Sequence, residues 1–238
     1  MEIGLPQAVV LVGGLGTRLK DVVRDRPKCM APIAGRPFLE YLLCFLRSQG
    51  VSEVILAVGY RADQVVEHFG NGNRLGLKLS YSFEQSLLGT GGALKLAENL
   101  LRGNHVLVMN GDSIADVPLR ALIEYHTRKR AVATIALVEV PEVARYGAVI
   151  LEPDGQIVRF KEKSVKGKGW VNAGVYVLER EVIANSPSEG QVSLERDVFE
   201  RLAGSGLYGF PFDGFFIDIG TPEAYNKAQL DVPRRFSC

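Results

Sequence analysis

The feature that most constrains this chain is a regular alternation, through about its first 130 residues, of short apolar runs and amphipathic stretches. Ala8 to Val12 is a continuous strand-like run ending in Gly13-Gly14, and Phe38 to Gln49 has helical periodicity between Pro37 and Gly50. Glu53 to Val58, Leu77 to Phe83 and His105 to Asn110 read as further strands, with helices over Ala62 to Phe69, Gly91 to Leu101 and Pro118 to Arg130. Apolar strands separated by helices require βαβ crossovers. The spacing therefore predicts an α/β fold, a Rossmann-like mixed, mostly parallel sheet flanked by helices. After Ala131 the texture changes: Ala133 to Val140, Gly147 to Leu151, Ile157 to Phe160 and Val171 to Leu178 follow one another across turns such as Pro153-Asp154-Gly155. These strands are expected to be antiparallel or mixed. Ser193 to Leu202 reads as a helix, Leu207 to Ile219 holds more strand, and Pro222 to Leu230 reads as a closing helix with proline in its first turn.

Composition narrows the ligand classes. A chain of 238 residues buries roughly 70 to 75% of its unfolded surface, enough for a single domain over 1–238 without metals or disulfides. With 28 Lys plus Arg against 27 Asp plus Glu, the net charge is +1, so there is no electrostatic footprint for nucleic acid. Any anionic ligand must be met by cations gathered locally. Apolar runs such as Ala8 to Val12 and Val106 to Met109 fall far short of the ~20 residues that span a bilayer. The N-terminus lacks a basic n-region, so a cytoplasmic protein with no membrane partner is expected. Cys29, Cys44 and Cys238 are odd in number, widely spaced and without a neighbouring histidine pattern. Neither a disulfide framework nor a cysteine zinc site is indicated, and Cys44 reads as core.

In an open α/β sheet, ligands bind beyond the carboxyl ends of the strands, and there the unusual residues collect. Gly13-Gly14-Leu15-Gly16-Thr17-Arg18-Leu19 follows the first strand directly. Its glycines let backbone N–H groups approach phosphate oxygens, and Arg18 can fork onto them. Leu19 stands where a dinucleotide fingerprint needs its third glycine, which disfavours a Rossmann oxidoreductase, and no Gly-Lys-Ser/Thr follows to make a P-loop. Lys28, between Pro27 and Pro32 on a stiff segment, can be aimed with little entropy loss. Asp112 sits at the mouth of the apolar strand that ends at Asn110, and Asp218 ends the run Phe215-Phe216-Ile217 before Gly220. Two hard-oxygen carboxylates at strand ends suit Mg²⁺, which takes one or two protein carboxylates plus phosphate oxygens; turn-capping is the alternative role for each. Alternation from Phe160 places Lys161 and Lys163 on one face and Glu162 on the other.

Together these motifs resemble the sugar-1-phosphate nucleotidyltransferases, or NDP-sugar pyrophosphorylases, over about 210 residues. The glycine loop, Pro27-Lys28 and the string from Pro32 to Tyr41 resemble the family's signature loop, and Leu88-Gly89-Thr90-Gly91-Gly92-Ala93 its base and ribose loop. Arg145-Tyr146-Gly147, Phe160 to Lys163 and Asn172-Ala173-Gly174 resemble its sugar-phosphate half. Asn110-Gly111-Asp112 and Asp218-x-Gly220-Thr221-Pro222 resemble its metal aspartates.

The resemblance implies a nucleotide-binding half over about 1–130 and a sugar-phosphate half over about 131–230. Val12, Gly13, Gly14, Gly16, Thr17, Arg18, Lys28, Glu84, Gly89, Thr90, Gly91 and Asp112 would hold the nucleotide. Gly111, Tyr146, Gly147, Glu162, Lys163, Asn172, Ala173 and Gly174 would hold the sugar phosphate. Arg18, Lys28, Asp112 and Lys163 would be catalytic, with Mg²⁺ on Asp112 and Asp218. Ser164 stands where the family usually has proline, which loosens the aim of Lys163. Pro27-Lys28-x-Met30-Ala31-Pro32-Ile33 with Ser193-Leu194-Glu195-Arg196-Asp197 most resembles the branch that joins GTP to a heptose 1-phosphate. Uridylyl or thymidylyl transfer to a hexose or amino-sugar 1-phosphate is the second reading, and a non-catalytic nucleotide-sugar-binding regulatory subunit is the third. Self-association is left open.

Overall fold

The computed structural model describes residues 5–14, 16, 19, 23, 25–161, 166–187 and 190–236. A central sheet runs in the order β10 (Ile157–Lys161), β9 (Ala148–Leu151), β11 (Gly169–Glu179), β6 (His105–Asn110), β1 (Ala8–Leu11), β4 (Glu53–Val58), β5 (Lys78–Phe83). From β11 it branches through β8 (Ala133–Val140) to β12 (Leu207–Phe212). β6, β1, β4 and β5 are mutually parallel, whereas β11 runs antiparallel to β6, β8 and β9. The change from parallel to antiparallel after residue 131 is therefore present, within one mixed sheet.

Period-two alternation sends successive strand residues to opposite faces, and two apolar layers result. Val10, Leu107, Met109, Val175 and Val177 face a layer with α1 (Phe38–Ser48), α2 (Ala62–Phe69), α4 (Leu119–Lys129) and α7 (Pro222–Arg235). Val9, Val106, Val108 and Leu178 face α3 (Gly89–Leu96), α5 (Arg180–Ala184) and the segment Leu194–Phe199. β1 lies between β4 and β6, so the chain leaves it once toward each side. That reversal opens a crevice at the carboxyl ends of β1 and β6, where open α/β sheets bind ligands.

Local departures have local causes. The stretch from Leu207 to Ile219 holds two strands: β12 stays in the main sheet, while β13 (Phe216–Asp218), which Asp218 ends as expected, pairs away from it with β7 (Ser113–Ala115). The expected Ser193–Leu202 helix starts as a π-helical turn over Leu194–Phe199 and continues as α6 (Glu200–Leu202). Ser193 Oγ accepts from the Arg196 N–H at 3.3 Å, while Asp197 Oδ2 accepts from the Ser193 N–H at 2.7 Å, a reciprocal cap. α7 runs past Leu230 to Arg235 with Pro233 inside it. Pro32–Ile33 and Arg36–Pro37 form a small hairpin, β2 and β3, that carries the chain from Lys28 into α1. Cys44 is buried in α1 and disulfide-bonded, which the cysteine spacing did not indicate. Among the described residues no helix is long and apolar enough to cross a membrane.

Candidate active site

The crevice has two compartments that meet at Asn110 and Asp112. The first, about 310 Å³, lies between the carboxyl ends of β1 and β6 and the start of α3, lined by Val12, Gly13, Gly14, Gly16, Lys28, Glu84, Gly89, Thr90, Gly111 and Asp112. The second, about 570 Å³, lies over β9, β10 and β11 and is lined by Tyr146, Gly147, Asn172, Gly174, Asp112 and Asp218. Residues expected to hold a nucleotide and those expected to hold a sugar phosphate thus occupy adjoining spaces. Gly111, placed by resemblance with the sugar phosphate, lines the first compartment. Gly91 donates its N–H to the Val192 carbonyl at 2.8 Å and packs closely against Val192, and Ala173 is in the core at 1% exposure. Thr17, Arg18, Glu162 and Lys163 lie outside the described residues.

At the junction, charge is concentrated. Lys28 is only 8% exposed, and its Nζ donates to Asp112 Oδ2 at 2.7 Å and to Asp218 Oδ1 at 3.3 Å. Asp218 Oδ1 also accepts from the Gly220 N–H at 2.6 Å, which fixes the carboxylate at the end of β13. Arg145 Nη2 reaches the Asp218 carbonyl at 3.1 Å and its Oδ2 at 3.5 Å. Two carboxylates from different strand ends therefore converge on one ammonium. A pair of hard oxygens, part-exposed and already grouped around a positive charge, fits Mg²⁺, which binds through one or two carboxylates plus substrate phosphates.

Two walls rely on glycine. Gly89 has φ +75°, and an added Cβ would collide with the Val192 carbonyl oxygen; Gly174 has φ +74°, and its Cβ would lie 2.6 Å from Ser113 Oγ. A side chain at either position would be strained and would push on the neighbouring wall of its compartment.

A part-buried polar network centred on Tyr176 ties the compartments together. Tyr176 is fully buried, and its hydroxyl accepts from Asn110 Nδ2 at 3.2 Å and Asn172 Nδ2 at 3.0 Å and donates to Glu195 Oε1 at 3.4 Å. Glu195 Oε2 in turn accepts from Thr90 Oγ1 at 3.1 Å and Ser193 Oγ at 2.8 Å. Burial, and next the Glu195 charge, push the Tyr176 phenol well above its ordinary range, so it stays a donor. Removing one member strands its partners, at about 1–3 kcal/mol for each unsatisfied group. Tyr176→Phe is expected to lower the melting temperature by roughly 5 °C and to raise KM for the sugar phosphate more than for the nucleotide, measured by scanning calorimetry and initial rates.

Arg145, Lys161, Glu195 and Arg196 also line the second compartment. Arg145 and Glu195 stand within recognisable strings, but their partners Asp218 and Thr90 are far away in sequence, so no local pattern names their roles. Cys29 lines the first compartment, yet burial pushes its thiol up to about 12, which leaves little thiolate.

Comparison with known proteins gives the same family. The chain is 40% identical to a D-glycero-alpha-D-manno-heptose 1-phosphate guanylyltransferase of Aneurinibacillus thermoaerophilus, covering 95% of this chain and 98% of that one. It is 38% identical to the enzyme of that name from Campylobacter jejuni, covering 92% and 96%. It superposes on the crystal structure of HddC from Yersinia pseudotuberculosis complexed with GMP-PN with a TM-score of 0.85, 36% identity, and coverage of 94% and 98%. Residues 7–235 match the family model described as nucleotidyl transferase, and the chain belongs to that family of enzymes.

Proposed function

We propose that this chain joins GTP to D-glycero-α-D-manno-heptose 1-phosphate, forming GDP-heptose and pyrophosphate. The observation that carries the reading is the Lys28–Asp112–Asp218 cluster at the junction of two compartments. A phosphate oxygen of the sugar attacks the α-phosphorus of the triphosphate; that P–O bond forms, the bond to the bridging oxygen of the β-phosphate breaks, and pyrophosphate leaves. No side-chain nucleophile takes part. The difficulty is bringing anion to anion, so alignment and neutralisation are the tasks. Lys28 supplies a buried positive charge at the meeting point, and the glycine loop offers backbone N–H groups to the triphosphate. Mg²⁺ held by Asp112 and Asp218 would add the charge neutralisation that one lysine does not provide. Arg145, Lys161 and Arg196 give the sugar-phosphate compartment its cations. GTP and sugar phosphates are metabolites of the cytoplasm, where the reaction would run; an activated heptose of this kind is a donor for cell-surface polysaccharide.

Glu84 favours guanine. Its carboxylate lines the nucleotide compartment, and a carboxylate only accepts hydrogen bonds. Guanine presents adjacent N1–H and N2–H₂ donors, whereas uracil and thymine present one N–H between two carbonyls. Burial pushes the Glu84 carboxyl above its usual 4.5, opposed by the Leu88 N–H that it accepts. Because the folded-state value is raised, that contribution to ligand-free stability is fully present below the unfolded value and lost as pH rises through the folded one. Binding of guanine, which needs the carboxylate, strengthens over the same window. Thermal shifts with GTP, UTP, dTTP, CTP and ATP plus Mg²⁺ test this: GTP gives the largest shift, growing with pH through the Glu84 titration. Glu84→Gln loses about 10- to 100-fold in GTP affinity, the worth of a bidentate pair. An equal or larger shift with UTP or dTTP would support the uridylyl or thymidylyl reading instead.

A further inference from the structure

We infer that His105, His126 and Glu179 form a second metal site, suited to one divalent transition-metal ion of the zinc type, at the end of the sheet opposite the cleft. His105 opens β6 and Asn110 closes it, so at ~3.3 Å per residue the cluster lies about 16 Å from the nucleotide compartment. It is separate from the Asp112–Asp218 pair.

Three rigid elements present the ligands. His105 and Glu179 are direct cross-strand partners on β6 and β11, and His126 comes from α4, packed over the same sheet face. His105 Nε2 is 2.9 Å and His126 Nε2 3.4 Å from the same oxygen, Glu179 Oε1. The three ligand atoms all lie within 4.8 Å of one another. A tetrahedral ion with bonds of ~2.0–2.1 Å sets its donor atoms about 3.4 Å apart, so the cluster needs only side-chain adjustments to close around one. The backbone around it is tied down: the Glu179 N–H donates to the Val132 carbonyl at 2.9 Å, and the Ala131 N–H to the His126 carbonyl at 3.1 Å.

Chemistry and access agree with this geometry. His126 Nδ1 bonds Thr134 Oγ1 at 2.8 Å, which orients the ring with Nε2 toward Glu179, the kind of outer contact that metal-bound histidines use. The side chains of His105 and Glu179 are 35% and 32% exposed, so an ion can enter and keep a water in its fourth position. Two imidazoles and one carboxylate suit zinc-type ions better than Mg²⁺, which prefers an all-oxygen shell. The ligands are scattered at 105, 126 and 179, with no short histidine spacing for a motif search to find.

The test uses the full chain, stripped with chelator and desalted, in saturating Mg²⁺ so that the cleft aspartates are occupied. Titration with Co²⁺ is expected to give one equivalent bound, with the visible absorption of a four-coordinate nitrogen and oxygen site, bleached by Zn²⁺. Zn²⁺ at about 100 times its Kd is expected to raise the melting temperature by about 5 °C. His105→Ala and Glu179→Gln, both at part-exposed positions, should each remove the Co²⁺ spectrum and the Zn²⁺-dependent shift while keeping Mg²⁺-supported turnover. No Co²⁺ spectrum in the wild type, or the same spectrum in both variants, overturns the site and leaves a hydrogen-bonded triad that only braces α4 against the sheet.

Discussion

Asp112→Asn and Asp218→Asn are each expected to lower kcat/KM for nucleotidyl transfer by about 10³-fold and to leave the melting temperature within about 2 °C of wild type. The asymmetry between activity and stability follows from where these carboxylates sit. The Asp112 side chain is 43% exposed and Asp218 20% exposed, so neither supports much apolar packing. Asparagine at 218 keeps an oxygen for the Gly220 N–H, which Asp218 Oδ1 accepts at 2.6 Å, so the β13 turn survives. What is lost is negative charge at the junction, and with it the proposed hold on Mg²⁺. Raising Mg²⁺ should therefore partly rescue Asp112→Asn by lifting the apparent metal affinity limit, whereas a variant damaged only in its fold would show no such dependence. Steady-state rates against Mg²⁺ concentration, paired with calorimetry, check both halves of the expectation.

Lys28→Met is expected to cost about 10²- to 10³-fold in kcat. Its ammonium touches Asp112 and Asp218 and is the described side-chain cation shared between them. Two unit charges ~4 Å apart interact by ~4 kcal/mol at an effective dielectric of 20, so removing the ammonium both uncovers repulsion between the aspartates and withdraws a positive charge from the phosphates. The double variant Lys28→Met with Asp112→Asn should be far less damaging than the product of the two single effects, because the residues act as one unit. Independent, multiplicative losses would mean that the contact between them is incidental.

The architecture was legible because burial writes a periodic signal. β4 and β6 were read from Glu53 to Val58 and from His105 to Asn110, the ranges the structure gives, since each is an apolar run bounded by turn residues. Where pairing is decided far away in sequence, the reading failed. β7, three residues long, carries too little pattern to be seen, and it exists because Phe216 to Asp218 cross over to pair with it. The same crossing brings Asp218 beside Asp112 and Lys28.

The site was legible to the extent that its residues sit in strings with unusual local chemistry. Gly13, Gly14, Lys28 and Asp112 belong to such strings, and they come together in one compartment. Tyr176 has an ordinary local context, and Glu195, although it stands in the string from Ser193 to Asp197, acquires its role only through Tyr176 and through Thr90, 105 residues away from it. Arg145 stands in a recognisable string, but its contact with Asp218 spans 73 residues. His105, His126 and Glu179 are the extreme case, since nothing in their neighbours hints at a shared oxygen.

The central claim is that the junction of the two compartments carries guanylyl transfer to a heptose 1-phosphate. The most direct measurement is pyrophosphate release with Mg²⁺ across a panel of GTP, UTP, dTTP, CTP and ATP against heptose, mannose and glucose 1-phosphates, with the nucleotide sugar identified by mass. The account predicts that GTP with D-glycero-α-D-manno-heptose 1-phosphate gives the highest kcat/KM, with pyrophosphate and GDP-heptose in equal amounts, and that Asp112→Asn removes both. Pyrophosphate release from no combination, or a preference for UTP or dTTP over GTP, would contradict it.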